Sequence, residues 1–263
     1  MKIYSTNRIN ALGLKGPEEL PEAIKEFVKH PIEHIQVDND NIQESEQILY
    51  EKAKQIFNNA EQVDPQGASR PQEKPKVFLG GDHSITYPIF KAFQENKKES
   101  FLIVFDAHAD CMPPQQEPTH EEYLRAIIED GFPSKNIILI GARKIEPVEM
   151  KFLIENEIKV FTDIFDMEAA ADYITEKANG KDLYISIDID TLDPAFAPAV
   201  NYPEPAGLNS KEFFYIFKRL LRIKTLKAID IVEIIPEKDN SQKLTLRTIA
   251  KIIEETLAVS NRS

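Results

Sequence analysis

The chain of 263 residues, 42% of them hydrophobic, is long enough for one sizeable α/β domain spanning residues 1–263. Its 32 basic and 44 acidic residues give a net charge of −12, which argues against binding to nucleic acid or an anionic membrane and favours a cationic substrate. No apolar run approaches the roughly 20 residues that a membrane span needs, so we expect a soluble cytoplasmic protein.

The hydrophobic pattern predicts strands and helices that alternate along most of the chain. The N-terminal part is predicted to contain an edge strand at 2–9, a helix over 17–30, a strand at 34–37, a helix over 42–60 and a surface loop over 63–76. Further strands are predicted over 77–80, 101–108, 136–142, 158–162, 183–190 and 226–234, and helices over 84–96, 121–130, 146–156, 166–179, 210–222 and 243–258. Apolar strands separated by helices are typical of a mostly parallel sheet covered on both faces. The sequence therefore predicts a three-layer α/β/α fold.

Three of the predicted strands are followed by polar clusters, GGDHS at 80–84, DAHAD at 106–110 and SIDIDTLDP at 186–194. In an extended chain Asp106, His108 and Asp110 would share one face, and the carboxyl ends of parallel strands meet at one edge of a sheet. Crowded carboxylates repel one another unless a cation lies between them. The sequence therefore predicts a site for two divalent ions, and its oxygen-rich ligands with two imidazoles favour manganese, with nickel, cobalt and zinc as alternatives.

These three motifs, in this order, resemble those of the ureohydrolase (arginase/agmatinase) family, and the resemblance covers about residues 75–260. It implies an arginase-like fold and two Mn²⁺ ions per subunit. The ligands that it implies are His83, Asp106, Asp110 and Asp188 for the first ion and His108, Asp106, Asp188 and Asp190 for the second. Because family members are commonly trimers or hexamers, it also implies a homo-oligomer.

The same resemblance implies roles for residues near the metal motifs. Glu233 matches the family's strand-end glutamate that pairs with a guanidinium group, and His120 lies where the family carries its proton-shuttle histidine. The implied reaction is metal-assisted hydrolysis, in which activated water attacks the guanidinium carbon to give urea and an amine. Asp110 would relay the proton, and His120 would protonate the leaving nitrogen or exchange protons with solvent. Asp82 is predicted to support His83 from behind.

The choice of substrate depends on residues beyond these motifs. The loop 111–119 is short and lacks the Asn and Ser side chains with which arginases read the α-carboxylate, which favours agmatine or another decarboxylated guanidino compound. Glu146, by contrast, lies where arginases have a carboxylate for the α-amino group, so arginine is the second candidate. Asn201 and Tyr202 replace part of the family's glycine-rich segment, and Asn201 is a candidate substrate ligand.

Two further alternatives stay open. Hydrolysis of a formimino group, as in formimidoylglutamase, would need a basic residue for an anionic substrate, and Arg143 or Lys144 is the candidate. A non-catalytic metal-binding or regulatory paralogue would keep the metal ligands while the segment 197–203 blocks substrate.

Overall fold

The computed structural model describes residues 2–58, 74–95, 97, 99–162 and 167–259, which form one eight-stranded sheet with helices on both faces. The strands are β1 (Ile3–Thr6), β2 (Ile32–Ile35), β3 (Lys76–Leu79), β4 (Ser100–Phe105), β5 (Ile137–Ile140), β6 (Lys159–Phe161), β7 (Asp182–Asp188) and β8 (Leu226–Val232). The helices are α1 (Leu20–Ala23), α2 (Ile42–Asn58), α3 (Thr86–Gln94), α4 (Tyr123–Glu129), α5 (Pro147–Glu155), α6 (Met167–Ala178), α7 (Ser210–Leu220) and α8 (Leu244–Val259).

All neighbouring strands run parallel, in the order β2-β1-β3-β8-β7-β4-β5-β6. Alternate residues of each central strand contact opposite helix layers, as the two-residue period of a strand requires. In β4, Ile103 and Phe105 pack with α6, α7 and α8, whereas Leu102 and Val104 pack with α2, α3, α4 and α5. The three-layer α/β/α prediction is confirmed, and the sheet is entirely parallel among the described strands.

The N-terminal predictions were less accurate than the rest. The predicted edge strand, β1, pairs with β2 and β3 and is buried throughout, so the edge position belongs to β2. In place of one helix over 17–30, the chain forms short 3₁₀ turns on either side of the single helical turn α1. Pro21 interrupts this segment, because it has no backbone N–H to donate to Pro17 in a continuous helix. Lys76 belongs to β3, so the predicted loop ends before it.

Several predicted boundaries lie outside the described residues. They are positions 59–60 of the second predicted helix, positions 63–73 of the predicted loop, and positions 96 and 166 at the ends of two other helices. Within the described ranges, none of the helices combines the length and the apolar character that a membrane crossing requires.

The order of the strands determines which loops meet. The four neighbouring strands β3, β8, β7 and β4 occupy the middle of the sheet, and their carboxyl ends lie along one edge. These ends carry the GGDHS motif, Glu233, Asp188 and Asp106, respectively. Side chains that are more than 100 residues apart in sequence therefore converge at the position where parallel sheets commonly bind ligands.

Candidate metal centre and active site

The turn after β3 depends on two glycines. Gly80 and Gly81 both have positive φ angles, 91° and 75°, and a Cβ atom on Gly81 would lie 2.2 Å from the carbonyl oxygen of Arg8. Asp82 then caps the following 3₁₀ turn by accepting a hydrogen bond from the Ser84 amide at 3.1 Å. Since the carboxylate of Asp82 is used in this way and also accepts from the Asn10 amide, its predicted role as the partner of the His83 ring is wrong.

The deeper half of the site is a buried cluster around His83. Its Nδ1 atom lies 3.0 Å from Asp106 Oδ2, 3.2 Å from Asp110 Oδ2 and 3.4 Å from Asp188 Oδ2. Asp106 directly follows β4, Asp110 lies in the loop beyond it, and Asp188 is the last residue of β7. The cluster brings together all four residues that the resemblance implied for the first ion.

The outer half of the site lies around His108. Its Nδ1 atom is 2.9 Å from Asp190 Oδ2 and 3.5 Å from Asp106 Oδ1. Asp106 therefore faces both halves. Ligand atoms from His83, Asp106 and Asp188 lie within 4.8 Å of one another, and so do those from Asp106, His108 and Asp190.

These side chains converge by a different route from the one predicted. β4 ends at Phe105, and the chain beyond it turns so that Asp106 Oδ1 accepts a hydrogen bond from the His108 amide at 2.7 Å. Asp110 adopts a left-handed backbone conformation with φ 48°, which is unfavourable for a residue other than glycine. The assumption of an extended chain through Asp110 was wrong, because the turn itself directs the side chains into the cluster.

The electrostatics of the cluster fit a bound cation. Burial, reinforced by neighbouring carboxylates, raises the pKa of Asp110 and Asp188 well above the ordinary value. Burial opposes the charged form of His83, but the three surrounding carboxylates raise its pKa well above the ordinary value. His83 Nδ1 and Asp106 Oδ2 are both buried and make no hydrogen bond within the described part of the chain. Two divalent cations would give these atoms a partner and relieve the repulsion, so the residues present fit a metal centre.

Glu233 and His120 lie beside the cluster. Glu233 follows β8 with φ 65°, and its Oε1 atom accepts a hydrogen bond from the His83 amide at 2.9 Å and lies 3.1 Å from His120 Nδ1. Burial opposes the charged form of His120, but Glu233 raises its pKa to about 9. The Nε2 atom of His120 is buried without a hydrogen-bond partner among the described residues. Both residues thus meet beside the cluster of His and Asp side chains although 113 residues separate them.

The cluster opens into a cavity of about 260 Å³. Its lining residues are His108, Asp110, Met112, His120, Glu121, Lys144, Glu146, Glu149, Asp188, Asp190, Val200, Asn201, Tyr202, Glu204 and Glu233. Glu146 lies on this wall, but it also caps α5 and pairs with Lys144 at 2.8 Å. Asn201 also lines the cavity, and its Oδ1 atom accepts a hydrogen bond from Lys238 Nζ at 2.8 Å. The segment 197–203 therefore borders the cavity without filling it.

Arg143 has a structural use that the sequence did not reveal. Its guanidinium group donates hydrogen bonds to the carbonyl oxygens of Gly141 at 3.1 Å, Asp190 at 2.8 Å, Glu204 at 2.7 Å and Pro205 at 3.0 Å. We refer to this set of contacts as the Arg143 clamp. Because the clamp uses its donors, Arg143 is not available to bind an anionic substrate.

Three polar residues that contact the predicted site were not identified from the sequence. Ser186 and Asp230 lie within the buried strands β7 and β8, behind His83, and Glu204 lies at the cavity mouth. A polar residue inside an otherwise apolar strand is a usable signal, because a buried polar group requires a hydrogen-bond partner. Glu204 carries no comparable signal, since its position depends on the Arg143 clamp.

Comparisons with known proteins agree with this geometry. The model of the Arginase family matches residues 8–258. The chain belongs to the arginase family. Members of this family are metal-dependent, and homologues are hydrolases that act on the C–N bonds of amidino groups.

Two curated relatives and one solved structure illustrate the family membership. N(1)-aminopropylagmatine ureohydrolase of Thermus thermophilus is 31% identical over 187 residues, which cover 70% of this chain and 61% of the relative. Agmatinase of Bacillus subtilis is 31% identical over 182 residues, which cover 68% of this chain and 61% of the relative. The chain thus spans about three fifths of the length of these relatives. The crystal structure of arginase from Bacillus subtilis has the same fold, with a TM-score of 0.84 at 20% identity over 98% of both chains.

Proposed function

We propose that this protein is a manganese-dependent amidinohydrolase that cleaves a linear guanidino compound, preferably agmatine or a similar decarboxylated compound, to urea and an amine. The observation that carries the proposal is the convergence of six His and Asp side chains, with Glu233 and His120 beside them, in one cavity. Oxygen-rich ligation with two imidazoles suits Mn²⁺.

In this proposal the two ions, when bound, supply Lewis acidity and lower the pKa of a water molecule toward neutrality. The residues of the chain then bind the substrate and transfer protons. We assign the guanidinium to Glu233, whose Oε2 atom receives no hydrogen bond from the described residues while Oε1 is used by His83 and His120. Water adds to the guanidinium carbon, and the C–N bond to the substrate chain breaks. Asp110 accepts a proton from the attacking water, and His120 donates one to the leaving amine.

The charge of the cavity supports a substrate without a carboxylate. Glu121, Glu146 and Glu204 lie on its wall. Of the described lining residues, Lys144 is the one Lys or Arg side chain, and Glu146 neutralises it at 2.8 Å. The α-carboxylate of arginine would be repelled here, whereas the terminal amine of agmatine would be attracted. The names of the two relatives above, both of which refer to agmatine, point the same way.

The same observations weaken the formimino alternative. Arg143 is engaged by the clamp and Lys144 by Glu146, so neither candidate basic residue is free for an anionic substrate. A non-catalytic paralogue is disfavoured because the cavity stays open beside the segment 197–203. On the family resemblance alone, we further propose a cytoplasmic homo-oligomer, a trimer or hexamer, which light scattering would test.

The decisive assay is urea release by the Mn²⁺-loaded protein with agmatine and with arginine in parallel, against a metal-stripped control. We expect metal-dependent turnover that is faster with agmatine. Faster turnover of arginine would reverse the substrate assignment, and no urea from either substrate with two ions bound would refute the proposed reaction.

The role of Glu233 has a separate test. Glu233→Gln keeps the Oε1 acceptor for His83 but removes the charge, so we expect kcat/KM for agmatine to fall by about 10²-fold with metal content unchanged. Unaltered kinetics in this variant would show that another residue binds the guanidinium group.

A further inference from the structure

His120 lies outside the strands and helices, in the turn that precedes α4. The hydrogen bonds of a helix or a sheet therefore do not fix its backbone, although the proposed reaction needs its imidazole beside Glu233. Within the turn, Thr119 donates hydrogen bonds to the Glu122 carboxylate through its amide, at 3.1 Å, and through its hydroxyl. The residues before Thr119 are held from a distant part of the chain.

That distant contact comes from Asn10. Its side-chain Nδ2 atom donates hydrogen bonds to the carbonyl oxygens of Glu117 at 3.2 Å and Pro118 at 3.1 Å. Its backbone amide donates to Asp82 Oδ2, in the turn after β3 that carries the GGDHS motif. Asn10 thus joins this turn to the segment that leads into His120, although 108 residues separate Asn10 from Pro118.

The backbone around Asn10 is itself fixed against the turn after β3. Arg8 is completely buried, and its guanidinium group donates hydrogen bonds to Ser84 Oγ and, at 3.3 Å, to Glu46 Oε2. The carbonyl oxygen of Arg8 also approaches Gly81 so closely that a Cβ atom there would lie 2.2 Å away. Because a buried charge separated from its partners is costly, the segment that carries Asn10 has little freedom to move.

We propose that Asn10 is a positioning residue that holds the backbone before His120, so that the His120 imidazole stays beside Glu233 and can protonate the leaving amine. This inference rests on the proposed function, from which it takes the role of His120. Asn10 is not among the described residues that line the cavity, so it acts through His120 and not by contact with the substrate. It also lies outside residues 75–260, over which the sequence motifs resemble the family.

Asn10→Ala removes both donors to the backbone before His120. Asn10 is only partly buried, so we expect the variant to fold. Because His120 would be placed less accurately, kcat for agmatine should fall about tenfold, with KM and metal content unchanged. Urea release by the Mn²⁺-loaded, full-length protein measures both constants. Asn10→Asp keeps the shape of the side chain but has no donor, so its kcat should fall at least as far.

The matched control is Asn7→Ala. Asn7 lies in the same segment, and its side chain also makes two hydrogen bonds to the backbone, donating to the Val37 carbonyl and accepting from the Val37 amide, both at 3.2 Å. Neither bond involves the turn that carries His120, so kcat and KM should stay within about twofold of the wild type. An equal fall in kcat in Asn7→Ala would mean that any loosening of the N-terminal segment lowers activity, and the specific role of Asn10 would be wrong.

A double-mutant cycle with His120→Ala separates a positioning role from a general structural one. If Asn10 acts only through His120, Asn10→Ala should change kcat by less than about twofold once His120 has been replaced, because the residue that it positions is absent. A loss of folded protein would instead lower kcat by the same factor in both backgrounds. Equal factors in the two backgrounds therefore overturn the proposal.

The remaining outcomes separate this inference from the proposed function. Wild-type kinetics in both Asn10 variants, with an active wild type, overturn the role of Asn10 and leave the enzyme proposal intact. Loss of metal from Asn10→Ala would place its effect at the metal cluster instead of at His120, and would also overturn the role. No urea release by the wild type overturns the proposed function, and the role of Asn10 with it.

Discussion

His83 and His108 lie on opposite sides of Asp106, yet their surroundings differ. The side chain of His83 is 1% exposed, and its Nε2 atom lies 2.9 Å from Ser186 Oγ in the protein interior. The side chain of His108 is 23% exposed, and its Nε2 atom lies 4.0 Å from Glu204 Oε1 on the cavity wall. The centroids of the His108 and Tyr202 rings are 6.2 Å apart. The His83 ring is therefore held by the protein core, whereas the His108 ring lies on the wall of the cavity that a substrate would enter.

This difference suggests a division of labour. The deeper half is preorganised by buried strands and has little freedom to change, because each neighbouring polar atom depends on its partner. The outer half carries side chains that are not part of the core, and these can vary without disturbing the sheet. We expect retention of metal to depend mainly on the deeper half and discrimination between substrates mainly on the outer half.

The largest effect is expected from Asp106→Ala, because Asp106 faces both halves. We expect loss of both Mn²⁺ ions and a fall in urea formation of at least about 10³-fold, since the chemistry needs a metal-activated water. Elemental analysis after dialysis and the urea assay would measure these losses. Asp40→Ala, which removes an exposed carboxylate, is the control and should behave like the wild type. Retention of two ions by Asp106→Ala would contradict the shared position.

The two histidines should not be equivalent when each is replaced by alanine. His108→Ala is expected to keep one ion per chain, in the deeper half. His83→Ala leaves Asp106, Asp110 and Asp188 buried without their imidazole, so it should keep less metal and lose about 3 kcal/mol of unfolding free energy. Metal analysis and urea denaturation of both variants would measure this. Equal metal loss and equal destabilisation would remove the distinction between the halves.

The pH dependence of stability tests the deeper half further. Four side chains of the cluster have pKa values above their unfolded values, namely Asp110, Asp188, His83 and His108, and the pKa of His108 is raised to about 12. These raised pKa values stabilise the metal-free protein at low pH, and this contribution is lost as pH rises through the folded pKa values. The lowered pKa of Asp106 contributes stability that is present above its unfolded value of about 4, and this contribution is lost only in acid, below that value. Because the ligands must be deprotonated to bind metal, the stabilisation by Mn²⁺ should increase from pH 6 to pH 8.5.

The expected increase is about 3 °C in Tm per pH unit for each proton displaced by the metal. Thermal unfolding of metal-stripped and Mn²⁺-loaded samples across this range would give the difference directly, and groups remote from the site cancel in it. A metal-induced shift in Tm that does not change with pH would mean that the cluster binds no extra protons when it is empty.

The smallest effect is expected at the cavity mouth. Glu204→Gln removes one partly exposed charge, so KM for agmatine should rise by about fivefold, equivalent to about 1 kcal/mol, with metal content unchanged. KM for n-butylguanidine, which lacks the terminal amine, should not change. Glu146→Gln is the matched control, because Lys144 already neutralises Glu146. If both variants or both substrates respond alike, Glu204 does not read the substrate amine.

Sequence patterns predicted the alternating elements and the three polar motifs because both depend on local periodicity and strand ends. They did not predict that β8 lies between β3 and β7, since strand order is a long-range property. That order explains how Glu233 reaches His83 and why Asp230 lies behind it. Asp82 was wrongly chosen as the partner of His83 because adjacency in sequence was read as contact, whereas the backbone turn directs its carboxylate to Ser84 and Asn10.

The Arg143 clamp has a consequence for how this protein diverges from its relatives. By holding the carbonyl groups of Asp190, Glu204 and Pro205 with one side chain, the clamp joins the backbone that carries the proposed metal ligand Asp190 to the backbone that forms the cavity mouth. A shift of the mouth loop would displace Asp190 as well. Substitution of side chains at positions such as 202 and 204 would therefore change the substrate preference and leave the backbone unchanged. A change in the loop backbone would disturb the proposed metal site as well.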